Sequence, residues 1–155
     1  MEAFVAYWDD EQMQVLGETM HQWSQVEGIE PVAIKCPEAK YELFRRITAD
    51  NLAEGQFYLL LDLGTAPCED FDLCKIERRL TDEVGMAAFP AHTDPLDEDP
   101  RTPTGVRVCQ KGVIEKWPNK ISSSYDYEHS AAVEKNGKCI LRLPDFHYQR
   151  VYVSA

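Results

Sequence analysis

The sequence predicts an α/β protein: a Rossmann-like, mostly parallel sheet with helices on both faces. Three observations carry this. Four nearly continuous apolar runs, EAFVAYW (2–8), EPVAIKC (30–36), QFYLLLDLG (56–64) and VGMAAF (84–89), have the length of buried strands. Between them lie segments whose apolar residues recur every three or four positions, the period of an amphipathic helix. The connections are short, and strands alternating with helices across short connections form parallel sheets covered on both faces.

Each element follows from local chemistry. The first run ends at Asp9 and Asp10, acids suited to opening a helix, and Met13, Leu16, Met20 and Trp23 then mark one helical face. The second run is stopped by Pro37. Tyr41, Phe44, Ile47 and Leu52 fit a second helix, which Gly55 closes. The third run is the most apolar and carries Asp62 at its end. Residues 71–80 read as a short helix before the fourth strand. The expected core is a sheet of 3–8, 31–36, 57–62 and 84–89, the first three strands parallel. Residues 91–104 then form an exposed loop. The stretch PAHTDPLDEDPRTPTG (90–105), which contains it, has four prolines and four acids and little to bury, which suits a mobile cover over the functional edge. VRVCQKGVIEKW (106–117) reads as two short strands turning at Lys111-Gly112. A helix over about 125–136 ends at Gly137, and the strand CILRL and the tail PDFHYQRV follow.

A chain of 155 residues suits one domain, 1–155, with a real core. Its formal net charge of −11 would repel a nucleic-acid backbone or an anionic membrane, so neither is the expected partner. No segment approaches the roughly 20 apolar residues that span a bilayer. The opening lacks a signal-peptide pattern, so a cytoplasmic setting is expected. The five cysteines are odd in number and lack CxxC spacing. They read as reduced thiols without metal, with Cys36, Cys109 and Cys139 inside strand-like runs.

In open parallel sheets, ligands bind beyond the carboxyl ends of the strands, near a switch in strand order. That places Trp8, Asp9, Asp10, Pro37, Glu38, Asp62 and Gly64 on the candidate functional edge. A carboxylate at Asp62 can hold a divalent cation or a sugar hydroxyl, or can simply form a turn before Gly64. In SSSYDYEHSAAVEK (122–135), Asp126 and Glu128 are placed to act as a general base. Spacing alone favours the plainer role, in which the same acids are first-turn residues complementing the helix dipole, with Ser123 and Asp126 at capping spacing. His147 is a metal-ligand candidate or a half-buried tail residue. There is no P-loop, no GxGxxG and no GxSxG.

Taken in order, these segments resemble the GT-A type of nucleotide-sugar glycosyltransferase, in particular the family-2 inverting group. ADNLAEGQFYLLLDLGTAPCEDFDL (49–73) and EVGMAAF (83–89) follow that family's layout around its metal-binding strand. YDYEHSAAVEKNGKCILRLPDFHYQR (125–150) follows its acidic helix, strand and "PD…H" segment. The family's Asp-X-Asp motif stands here as Asp62-Leu63-Gly64, without the second carboxylate, and the chain is short for the group. The resemblance implies a nucleotide-diphosphate sugar as donor, an acceptor the sequence does not name, and inverting displacement at the anomeric carbon. Residues 1–90 would form the nucleotide-binding half and 105–155 the acceptor side. Glu128 or Asp126 would be the base. Asp62, with His147 as second ligand, would hold Mn²⁺ or Mg²⁺, and Trp8, Asp10 and Glu38 would line the nucleoside pocket. The alternative is a GT-A-like binding or accessory protein that keeps the scaffold without catalysis.

Overall fold

A computed structural model describes residues 1–36, 41–49, 51–92, 105–114 and 125–151, with backbone alone at 41, 42, 44 and 125–128. The four apolar runs are strands β1 (Glu2–Tyr7), β2 (Glu30–Lys35), β3 (Phe57–Leu61) and β5 (Val84–Ala88). With β6 (Val106–Gln110) and β7 (Cys139–Arg142) they form a six-stranded sheet in the order β2-β1-β3-β6-β5-β7. β1 pairs parallel with β2 and β3, as the sequence requires, and β6 is antiparallel to both of its neighbours. β3 is therefore interior, which is why FYLLL is apolar on both faces.

The alternation of side chains sorts the core into two layers. Leu59 and Leu61 join Ala3, Val5, Val106 and Val108 beneath α1 (Met13–Ser24) and α3 (Leu73–Glu77). Tyr58 and Leu60 join Phe4, Cys109, Ile47 of α2 (Tyr41–Ala49) and Ala132 of α4 (Tyr125–Lys135) on the opposite face. Helices thus cover both sides of the sheet.

Several boundaries differ from the sequence reading. Asp9 caps a 3₁₀ turn (Asp10–Gln12) rather than α1 itself, its side chain accepting from the Glu11 amide. Met13 is 50% exposed, so Leu16 and Trp23, with Thr19, form the buried face of α1. α2 ends at Ala49, and Gly55 serves the turn into β3, where its amide donates to the Lys111 carbonyl. Lys111-Gly112 does turn, but the buried Val113 and Ile114 beyond it are not strand residues. Cys139 is exposed at the edge of the sheet, unlike the buried Cys36 and Cys109; all five thiols are free. Most of the 91–104 loop, with Ser123 and Glu38, lies outside the described residues. Its first two residues are fixed: Ala91 bridges Tyr148, and the His92 amide donates to the Tyr148 carbonyl at 2.7 Å.

Two short strands have no counterpart in the sequence reading. β4 (Thr65–Pro67) and β8 (Tyr148–Arg150) pair antiparallel, Thr65 opposite Arg150 and Pro67 opposite Tyr148. This ladder folds the tail back onto the chain leaving β3. Gly105 makes the approach possible. Its φ is +80°, and a Cβ there would overlap the Tyr148 hydroxyl.

Candidate functional site

The crossover from β1 to β2 runs one way and the connection to β3 the other, so strand order switches at the carboxyl ends of β1 and β3. Such a switch opens a crevice at that edge. Trp8 follows β1 and Asp62 follows β3, so two of the sequence candidates flank the switch point. Trp8 is 50% exposed, although large aromatics normally bury. Its backbone is held by its amide donating to Gln12 Oε1 at 2.8 Å. Asp10 is committed differently. Lys35 Nζ, at the end of β2, lies 3.1 Å from Asp10 Oδ1, and that hydrogen bond, with the carboxylate's charge, raises the ammonium's pKa.

The turn carrying Asp62 is fixed from beneath by α1. Thr19 Oγ1 accepts from the Gly64 amide at 3.0 Å and donates to its own helix at Val15. Trp23 Nε1 donates to the Thr65 carbonyl at 3.1 Å and lies 3.2 Å from Thr65 Oγ1, which in turn donates to the Asp62 carbonyl. On the other side, the Asp62 amide donates to the Gly105 carbonyl, and the Val151 amide to that of Gly64. Gly64, at φ +79°, allows the turn. Asp62 is therefore presented on a backbone pinned by three separate elements.

The residues implied as metal ligands have other partners. Asp62 Oδ2 faces Arg150 Nη1 at 3.9 Å, at one end of the β4–β8 ladder. His147 lies at the other end, beside Asp70. His147 Nδ1 is 2.6 Å from Asp70 Oδ2, and its backbone amide donates to Asp70 Oδ1 at 2.8 Å. The His92 ring stands edge-on at 6.1 Å. Among the described residues, no group of three His, Cys, Asp or Glu could hold a metal ion. A divalent cation would need several oxygen ligands, and Asp62 offers one carboxylate with a guanidinium already beside it. The described residues do not fit that cation. Nearby, burial and then the Asp70 charge push the Cys68 thiol pKa up.

The helix bearing Asp126 and Glu128 reaches the same edge. His129 of α4 packs on Arg107, which pairs with Leu60 and Ala88 near the carboxyl ends of β3 and β5. The far end of α4 lies at the amino edge, where Asn136 Nδ2 reaches the Val113 carbonyl and Lys138 Nζ donates to that of Asp82. The axis thus runs away from the carboxyl edge, and its first turn stands on the side where β3 ends at Asp62. A cavity of about 360 Å³ opens at the amino edge instead, remote from this site, and its two lysines are bound to carbonyls: Lys138 as above, Lys111 to Ile47.

Arg107 and His129 are both about 1% exposed. Arginine has no acceptor, so at 3.3 Å it is the guanidinium that donates to Nδ1, and the ring is neutral with its proton on Nε2. Burial, and secondarily the Arg107 charge, holds the His129 pKa well below the ordinary value. The unfolded chain then binds the extra proton below about pH 6.5, so stability rises with pH through that range. The contribution is complete above about pH 6.5 and is lost as pH falls, by at most about 1.4 kcal/mol per unit. Urea unfolding at several pH values should show His129→Asn, which keeps an acceptor for Arg107, with a shallower acid loss than the parent. Identical slopes would place the titration elsewhere.

No family profile and no curated protein sequence matches the chain. Solved structures do. One is a glycosyltransferase involved in the glycosylation of the major capsid of PBCV-1, similar over 99% of this chain and 94% of that one, with TM-score 0.64 and 9% identity. The fold is GT-A-like. A197 from STIV is similar over 99% of the GT-A-like chain and 85% of its own, at TM-score 0.64 and 11% identity. S. aureus TarS 1–349 in complex with UDP-GlcNAc matches over 99% of this chain at TM-score 0.63 and 12% identity. The GT-A-like chain spans only 59% of that TarS fragment. Among the described residues, no helix is long and apolar enough to cross a membrane.

Proposed function

We propose that this chain is a small glycosyltransferase-like protein that binds a nucleotide-diphosphate sugar at the carboxyl edge of its sheet. The sugar passes to an acceptor by a single inverting displacement. The observation that supports the reading is the switch point between β1 and β3, with an exposed Trp8 following one strand and a firmly held Asp62 following the other. The UDP-GlcNAc bound to the structural neighbour TarS supports a nucleotide sugar as the ligand class. Trp8 offers a stacking surface for the base. Asp10 and Glu38 line the nucleoside side, and Asp62 accepts a ribose or sugar hydroxyl. Glu128, or Asp126 beside it, takes the acceptor's proton from the first turn of α4. Residues 1–90 make the nucleotide half, 91–104 a covering loop and 105–155 the acceptor side. The free thiols suit a reducing, cytoplasmic setting. No step runs through a divalent cation.

Gly64 in place of the family's second carboxylate favours a second reading, a binding protein that keeps the donor pocket without transfer. Both readings require nucleotide binding, and that is the first test. UDP, GDP, ADP and their common sugars are titrated by thermal shift. A true ligand at about 100 times its Kd adds about 2.7 kcal/mol, raising the midpoint by about 5–10 °C. Trp8→Ala removes a stacking contact worth about 1–3 kcal/mol and should weaken binding about 5- to 150-fold while leaving the unliganded midpoint in place. A panel without any shift overturns the proposal. Binding without transfer selects the second reading.

A further inference from the structure

We propose that Arg150, rather than a divalent cation, binds the diphosphate of the nucleotide ligand, so that binding is independent of metal. The inference rests on the nucleotide-binding reading above and specifies how the charged part of that ligand is recognised. A nucleoside diphosphate carries two to three negative charges, and this chain is strongly acidic overall. A local positive charge at the functional edge is therefore required. Among the described residues, Arg150 is the cation placed beside Asp62 there.

Its placement is suited to the task. Arg150 is the last residue of β8, and its backbone is set by pairing with Thr65, three residues after Asp62. The guanidinium lies 6.0 Å from the Tyr148 ring centroid, over a fully buried aromatic. Its separation of 3.9 Å from Asp62 Oδ2 is an ion pair too long for a hydrogen bond. The fork of N–H donors is thus orientated by Asp62 without being used up by it, and the side chain is 41% exposed. A planar fork of this kind matches two phosphate oxygens at once.

The same pair opposes a metal. Two carboxylates at Asp-X-Asp spacing would gather a divalent cation, but position 64 is glycine and the remaining carboxylate is balanced by Arg150. A cation brought to Asp62 would meet the guanidinium's repulsion. An anion brought to Arg150 meets attraction, offset in part by the partly exposed Asp62 carboxylate beside it.

Isothermal titration of UDP, GDP and ADP into the full chain, with EDTA and then with Mn²⁺, tests this directly. The expected result is binding of at least one diphosphate in EDTA, with little change when Mn²⁺ is added. Arg150→Ala should weaken it by about 10- to 100-fold, the loss expected for a charged hydrogen bond. Arg150→Lys, which keeps the charge but not the fork, should fall between. Arg150→Gln, checked by its melting curve, serves if the alanine variant does not fold. Binding that appears only with Mn²⁺ overturns the inference, as does binding that the Arg150 variants leave unchanged. If none of the three diphosphates binds under either condition, the nucleotide reading fails and this inference fails with it.

Discussion

Trp23→Ala should lower the stability of the fold by about 3–5 kcal/mol, the cost of removing a large buried aromatic. Trp23 is fully buried, and its ring meets Phe71 edge-on at a centroid distance of 5.0 Å, linking α1 to the segment before α3. For a protein with a total stability of about 5–15 kcal/mol, that is a large fraction, and the thermal midpoint should fall by about 6–20 °C. The indole nitrogen adds a second effect. It donates to the Thr65 carbonyl, and Thr65 Oγ1 donates to the Asp62 carbonyl, so the loss propagates into the turn that presents Asp62. Trp23→Phe separates the two. It keeps most of the apolar volume but leaves a buried carbonyl without its donor, at about 1–3 kcal/mol. Calorimetry should place Trp23→Phe between the parent and Trp23→Ala. Nucleotide affinity in the phenylalanine variant should fall although the protein remains folded. Unchanged affinity there would mean that α1 supports the core without holding the site.

What the sequence disclosed follows from which forces are local. The runs at 2–8, 56–64 and 84–89 are apolar because both faces of their strands are covered, and that pattern is visible without coordinates. The helices between them announce themselves by period, and Gly137 by its place at a helix end. β4 and β8 were hidden because a three-residue strand has no period to detect, and Pro67 argues against a strand altogether. The tail also needs Gly105 to yield space to Tyr148, a contact between distant parts of the chain. The partners of the site residues were hidden for the same reason. Asp70 and His147 are 77 positions apart, and nothing in PDFHYQR points to CEDFD. Arg107 is instructive in another way. In VRVCQ it alternates with valines, as an outward-facing residue would, yet β6 is an interior strand and α4 covers its second face. The buried charge is met by a histidine that only the tertiary fold supplies. Asp62 and Trp8 could be placed at the carboxyl ends of β3 and β1 because the alternation of strands and helices fixes strand direction; the order that sets both beside the switch point came from the fold.

Glu128→Gln should reduce sugar transfer by roughly 10²–10⁴-fold, the range for a lost general base. The proposal gives this residue one task, taking a proton from the acceptor as the bond to the anomeric carbon forms. Such a group acts in the transition state, so kcat should fall while KM for the donor and the affinity for the free diphosphate hold. The polarity of α4 makes the test meaningful. Because Lys138 and Asn136 anchor its far end at the amino edge, residues 125–128 begin the helix at the edge where β3 delivers Asp62. A residue that only complements the helix dipole behaves differently. Its loss would cost about 0.3–1 kcal/mol of stability and leave the rate alone. Unfolding midpoints and transfer rates measured on the same variant therefore separate the two roles. Asp126→Asn runs beside it to decide which carboxylate is the base, since one of the two should show the rate loss and the other a stability change alone. If both variants transfer at the parental rate from an identified donor, the base lies elsewhere. The GT-A-like fold would stand, and the acids at the head of α4 would be helix chemistry only.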